Sequence, residues 1–113
     1  MKKDKIILIV LIIFVLAIIL SINILKKNES PEEQIMKCIS KDSKLIISKT
    51  CGNCINQIKI LEKNLDYFEV LYIGENPEIN QKYQIKRIPT WIIKERVYPG
   101  VKTIEELKKL TNC

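Results

Sequence analysis

The chain opens with a run from which polar positions are almost absent. Residues 6–25, IILIVLIIFVLAIILSINIL, carry no charge. As a helix rising about 1.5 Å per residue this run is roughly 30 Å long, one hydrocarbon thickness. From residue 30 the pattern changes to short amphipathic segments. In SPEE, Ser30 suits an N-cap, Pro31 the first helical position and Glu33 the third, a capping box. Ile35 and Ile39 then share the inner face of that helix, with Met36 and Cys38 nearby. KLIIS, 44–48, is an apolar run bounded by turn formers and predicts a buried strand. Cys54, Ile58, Leu61 and Leu65 follow a 4-3-4 spacing opposite Asn56, Lys59 and Lys63, which predicts a helix. FEVLYI, 68–73, is the next strand, and NPEINQKY a short helix with Asn76 as N-cap and Pro77 at its first position. IPTWII introduces a strand over 91–95, and RVY is its hairpin mate across Lys94-Glu95, a pair lacking the Gly or Asn of a good two-residue turn. TIEE repeats the capping box at Thr103 and Glu106, ahead of an Ile104, Leu107, Leu110 stripe. The predicted order is anchor, helix, β, α, β, short α, β, β, α.

Composition narrows the function classes. With 113 residues, at most one small domain follows the apolar run. The net charge of +6 is spread thinly, +2 over residues 1–25 (three Lys, one Asp) and +4 over 26–113 (sixteen basic, twelve acidic). Lys and Glu alternate as on a solvated surface, with no basic stripe interleaved with aromatics, so nucleic acid is not an expected partner. There is no histidine. That removes Cys-His and Ser-His nucleophile pairs and every His-ligated metal site. The reactive inventory is Cys38, Cys51, Cys54 and Cys113.

The apolar run is longer than the 7–15 residues of a signal-peptide core and ends INILKK, without a small-x-small cleavage site. We therefore expect an uncleaved single-pass anchor in the cell membrane. Lys2, Lys3 and Lys5 precede it and Lys26 and Lys27 follow. This slight excess leans toward a cytoplasmic N-terminus and an extracytoplasmic domain.

Cys51 and Cys54, in SKTCGNCINQ, admit three readings. At the start of a helix, unpaired N–H groups and the macrodipole favour a thiolate on the first cysteine. In sites of this kind its pKa falls from about 8.5 to somewhere in ~3.5–7.5. Cys51 would attack, and Cys54 would resolve the mixed disulfide. The second reading is half of a zinc site, but zinc wants four ligands and the other cysteines are isolated at 38 and 113. The third is a structural disulfide, for which so short a ring is a weak staple.

TCGNC after a strand, RIPTW after a strand and helix, and a closing helix together resemble the thioredoxin fold. The fuller set, CxxCxxQ (Cys51, Cys54, Gln57), ENPEINQKYQIKRIPTWII and YPGVKTIEELKKLTNC, resembles the thioredoxin-like domains fused to, or partnering, homologues of vitamin K epoxide reductase, over roughly residues 35–113. The resemblance implies an α/β domain with a central mixed sheet of about four strands flanked by helices. With the apolar run and the polar linker after it, the expected boundaries are 1–27 for a cytoplasmic stub and transmembrane anchor, 28–34 for a linker and helix start, and 35–113 for the domain. The resemblance also implies a dithiol oxidase or isomerase that takes electrons from reduced or misbridged protein clients and passes them to a quinone-reducing membrane protein. No cofactor is expected beyond the redox-active Cys51–Cys54 pair. Pro89, flanked by Ile88 and Thr90, maps onto the family's cis-proline loop, where clients bind. A plain strand-entry proline is the alternative. Gly52, Asn53, Gln57 and Trp91 would support the site. Tyr67, Tyr72, Tyr83 and Tyr98 are expected in the core or at its rim.

Several positions depart from the relatives. Many carry a second cysteine pair in the segment where this chain has Ile73 and Asn80. Reducing thioredoxins have a Trp before the first cysteine and a buried acid six residues before it; here these are Thr50 and Leu45. Gly52-Asn53 lacks the histidine of strong oxidants, which implies intermediate oxidising power. Helices at the two ends of such a domain can meet, so a Cys38–Cys113 bridge is expected, against the alternative of two free thiols; four cysteines allow three pairings. Two other classes of function remain: a non-catalytic anchored module that binds a partner or zinc, and a dithiol reductant facing the cytoplasm.

Overall fold

The structure is a computed structural model and describes residues 1–26 and 29–113; Lys27 and Asn28, at the expected boundary between anchor and linker, lie outside the described residues. The uncharged run forms one helix, α1 (Lys2–Leu25), which buries none of its residues and is long and apolar enough to cross a membrane. Away from its ends, a helix satisfies its own backbone polar groups, as a bilayer interior demands.

Helix α2 (Pro31–Lys41) starts at the Ser30–Glu33 capping box, with both reciprocal bonds present. It buries Met36 and Ile39, while Ile35 is half-buried and Cys38 exposed. Next come β1 (Ser43–Ile47), α3 (Gly52–Leu61), a 3-10 turn (Glu62–Tyr67), β2 (Glu69–Tyr72), α4 (Pro77–Tyr83), β3 (Thr90–Ile93), β4 (Arg96–Pro99) and α5 (Ile104–Thr111). The four strands make one mixed sheet in the order β2-β1-β3-β4. β1 runs parallel to β2 and antiparallel to β3, and β4 pairs antiparallel with β3. This is a thioredoxin-like α/β fold.

The central strands are buried on both faces, as their near-continuous apolar sequences require. On one face Leu45, Ile47, Trp91 and Ile93 meet Met36 and Ile39 of α2, Cys54 and Leu61 of α3, and Leu107 of α5. On the other, Ile46 and Ile92 pack with Ile85 and with half-buried Ile79 and Tyr83 from α4. The sheet is thus thickly covered on the side that carries the cysteines.

Four expectations are corrected. β1 spans 43–47, not 44–48, because Ser43 pairs opposite Ile93 and its hydroxyl donates to the Ile39 carbonyl. α3 stops at Leu61 although the apolar spacing runs on to Leu65. Glu62 takes φ 49° and starts a 3-10 turn, which brings Leu65 and Phe68 to the same core by another path. Strands β2 and β3 end earlier than expected, at Tyr72 and Ile93. Asn76 occupies the N-cap position of α4 without capping it; its side-chain amide donates to the Tyr72 carbonyl instead (2.9 Å).

The β3–β4 turn does fall on Lys94 and Glu95, both left-handed at φ 50° and 64°. Non-glycine residues pay about 1–2 kcal/mol each in that region. Here the turn is held from outside: Lys94 N–H donates to the Asp42 carbonyl, and the Glu95 carboxylate accepts from the Tyr83 hydroxyl (2.6 Å) and pairs with Lys82 (3.1 Å).

Candidate functional site

The site forms where β1 gives way to α3. After Ile47 the strand ends in a tight loop, in which the Thr50 N–H donates to Ser48 Oγ (3.3 Å). Cys51 then serves as the N-cap of α3, in an extended conformation. Its sulfur accepts from the Cys54 N–H (3.2 Å), filling the capping role that Ser or Asp plays elsewhere. Cys51 is half-buried and Cys54 is buried one turn in. The two are joined in a disulfide, with Cα atoms 5.2 Å apart. Gly52 and Asn53, between them, are exposed, and a side chain at position 52 would meet open space.

The segment preceding β3 closes the site from the other side. The Ile88–Pro89 peptide is cis. The Ile88 carbonyl oxygen lies 3.7 Å from Cys51 Sγ, a plain contact while the sulfur is disulfide-bonded. Pro89 is fully buried, Ile88 half-buried, and the buried Thr90 hydroxyl donates to the Arg87 carbonyl. Trp91 is wholly enclosed, edge-on to Phe68 with ring centroids 5.2 Å apart. Its indole N–H donates to Gln57 Oε1 (3.0 Å).

Electrostatically the site is neutral beneath. Buried polar residues of the domain are Ser43, Gln57, Thr90 and Thr111, none ionisable. Leu45 is fully buried in β1 opposite Trp91. Lys49, two residues before Cys51, is turned to the Glu75 carboxylate at 2.6 Å; that hydrogen bond and its charge hold the ammonium above its usual range. The N-terminus of α3 adds a field that favours a thiolate on Cys51. Chemically, the arrangement can cycle between a disulfide and a dithiol whose outer sulfur alone is reachable by a partner.

The structure thus brings together Cys51, Cys54, Ile88, Pro89 and Thr90, with Gln57 and Trp91 behind them. Cys38 and Cys113 stand elsewhere: they are joined to each other between α2 and the end of α5, with Cα atoms 6.0 Å apart. Among the described residues no group of three or more His, Cys, Asp or Glu side chains is placed to hold a metal. The tyrosines are all half-buried, at the rim. Periodicity gave no hint that a polar residue at 57 would be as buried as Leu61; only the CxxCxxQ resemblance flagged it.

Among solved structures, the chain is similar to the NTD N/C domain of the alkylhydroperoxide reductase AhpF of Enterococcus faecalis, with 20% identity and a TM-score of 0.50 over 75% of this chain and 46% of that one. It is also similar to oxidised thioredoxin of Plasmodium falciparum, with 18% identity and a TM-score of 0.46 over 70% and 88%. The chain spans less than half of the first of these. The first likeness shows the fold. No protein-family model and no curated protein matches the chain.

Proposed function

We propose that this protein is a membrane-anchored thiol–disulfide oxidoreductase that faces out of the cytoplasm and works in the oxidase or isomerase direction. The observation that carries the reading is the placement of the Cys51–Cys54 disulfide at the start of α3 with the Ile88–Pro89 segment against Cys51. Catalysis needs one sulfur reachable and the other protected, and that is the burial order of Cys51 and Cys54.

In the oxidase direction a client thiolate attacks Cys51 Sγ. The Cys51–Cys54 bond breaks, and Cys54 leaves as a thiolate that takes up a proton. A second client thiolate attacks the client sulfur of the mixed disulfide. The client disulfide forms and Cys51 leaves as a thiolate, stabilised by the N-terminus of α3. Two electrons have moved from client to enzyme. A vitamin K epoxide reductase-like membrane protein, which the sequence motifs point to, would accept them and reduce a quinone. α1 would keep the domain beside such a partner, and the Cys38–Cys113 bridge fits an oxidising compartment.

A Cys54→Ala variant expressed in cells tests this. Without the resolving thiol, clients should accumulate as mixed disulfides through Cys51, and a membrane-impermeant thiol reagent should label Cys51 in intact cells after reduction. Absence of adducts while Cys51 remains alkylatable would refute the catalytic role. Labelling only after permeabilisation would refute the outward orientation.

A further inference from the structure

Gln57 has more to do than fill the core. It lies three residues after Cys54, on the same buried face of α3, and is fully enclosed. Its Oε1 accepts two hydrogen bonds, from Trp91 Nε1 (3.0 Å) and from the Lys102 N–H (2.7 Å). Its Nε2 donates to the Lys102 carbonyl (2.9 Å). One side chain therefore satisfies both main-chain groups of Lys102, in the segment between β4 and α5. Two residues earlier in that segment, the Gly100 N–H donates to the Pro89 carbonyl (2.8 Å), with Gly100 at φ 95°, a conformation open to glycine. The residue before Pro89 is Ile88, whose carbonyl abuts Cys51 Sγ.

These links form a closed ring. It runs from Cys51 to Ile88 and Pro89, across to Gly100 and Lys102, through Gln57 into α3, and back along α3 to Cys54. We propose that Gln57 is a positioning residue that fixes the Pro89 segment relative to the cysteine helix, and so sets the geometry in which a client chain bound to Cys51 meets Cys54. The inference rests on the exchange reading above. As the client thiolate attacks Cys51 Sγ, the client–Cys51 bond forms, the Cys51–Cys54 bond breaks and Cys54 leaves as a thiolate. The attack needs both halves of the ring in register.

The chemistry at position 57 is restrictive. The side chain must accept two N–H groups and donate one, which an amide does. A carboxylate of the same shape accepts twice but faces the Lys102 carbonyl with no hydrogen. A protonated carboxyl restores that donor.

The test uses the full-length protein in detergent with Gln57→Glu and Gln57→Leu. Each is oxidised, then mixed with dithiothreitol or with an extended dithiol peptide, and second-order rates are normalised to wild type at each pH. Dithiothreitol touches little besides the sulfur, whereas the peptide also lies along the Pro89 segment. At about pH 8, Gln57→Glu should slow the peptide reaction at least about tenfold and the dithiothreitol reaction far less, since small misplacements are costly at a reacting centre. Toward about pH 5 its peptide rate should climb back toward wild type as the buried carboxyl protonates. Gln57→Leu should show the loss without the recovery; if it does not fold, the Glu variant decides alone. Parallel changes with both substrates, or no recovery at low pH, would overturn the positioning role while leaving exchange intact. A wild-type protein that reacts with neither substrate would overturn the exchange reading, and this inference with it.

Discussion

The burial step between Cys51 and Cys54 sets the chemistry at the scale of single residues. The outer sulfur sits in the field of a helix N-terminus and the inner one in the core cluster with Trp91 and Leu45, where among the described residues the buried polar groups include no ionisable one. Of the exposed dipeptide between them only Asn53 carries a side chain. Replacing Asn53 by His would add a cation near the Cys51 thiolate and stabilise the reduced form. Asn53→His should therefore make the pair more oxidising, by on the order of 30 mV, read from equilibrium with glutathione buffers. An unchanged or lower potential would mean that residue 53 does not face the sulfur. At Lys94, the left-handed backbone should make Lys94→Asn stabilising by some tenths up to about 1 kcal/mol in thermal denaturation. A lower melting temperature would show that the Lys side chain contributes more than its backbone costs.

Elements were legible where their signals are local chemistry. Ser30–Glu33 and Thr103–Glu106 read as capping boxes because the four residues that make each are adjacent, and both form with reciprocal bonds. Thr103→Ala should cost about 1 kcal/mol of stability. Glu106 adds a pH term. Its carboxyl is held below the usual carboxylate range chiefly by the Thr103 N–H that donates to it. A depressed folded value means that the stabilisation is present above the unfolded pKa and is lost as pH falls through the folded one. The melting-temperature gap between wild type and Glu106→Gln should shrink below about pH 4. A gap that persists would place its origin elsewhere. The end of α3 was not legible, because Leu65 continues the apolar stripe past Glu62; the break comes from the 3-10 turn that carries Phe68 onto Trp91. Asn76 stands at the N-cap position of α4 by sequence, yet its side-chain amide donates to the Tyr72 carbonyl and makes no cap bond. Gln57 was visible as a motif letter only, since its three partners lie 34 and 45 residues away in the chain.

At the scale of the whole molecule, two disulfides divide the work. Cys51–Cys54 closes a ring with a sequence separation of 3, and Cys38–Cys113 one of 75. In the chain-entropy model the long loop is worth roughly 4 kcal/mol, a large share of what so small a domain has. The double variant Cys38→Ser, Cys113→Ser should lower the denaturation midpoint accordingly while leaving exchange at Cys51 intact. Loss of exchange in a variant that still folds would mean that the bridge takes part in the chemistry. The order of strands and helices followed from hydrophobic patterning, and so did the long apolar N-terminal helix. The meeting of α2 with α5, by contrast, depends on contacts that no local pattern encodes.

The most direct measurement of the central claim is stoichiometric. The oxidised full-length protein, purified in detergent, is mixed with a dithiol client peptide, and each species is quantified by mass spectrometry after acid quenching. The account predicts one client disulfide formed for each Cys51–Cys54 bond lost, a Cys51-linked adduct as the sole mixed disulfide, and Cys38–Cys113 untouched. No loss of the Cys51–Cys54 bond, or adducts through any other cysteine, would contradict it.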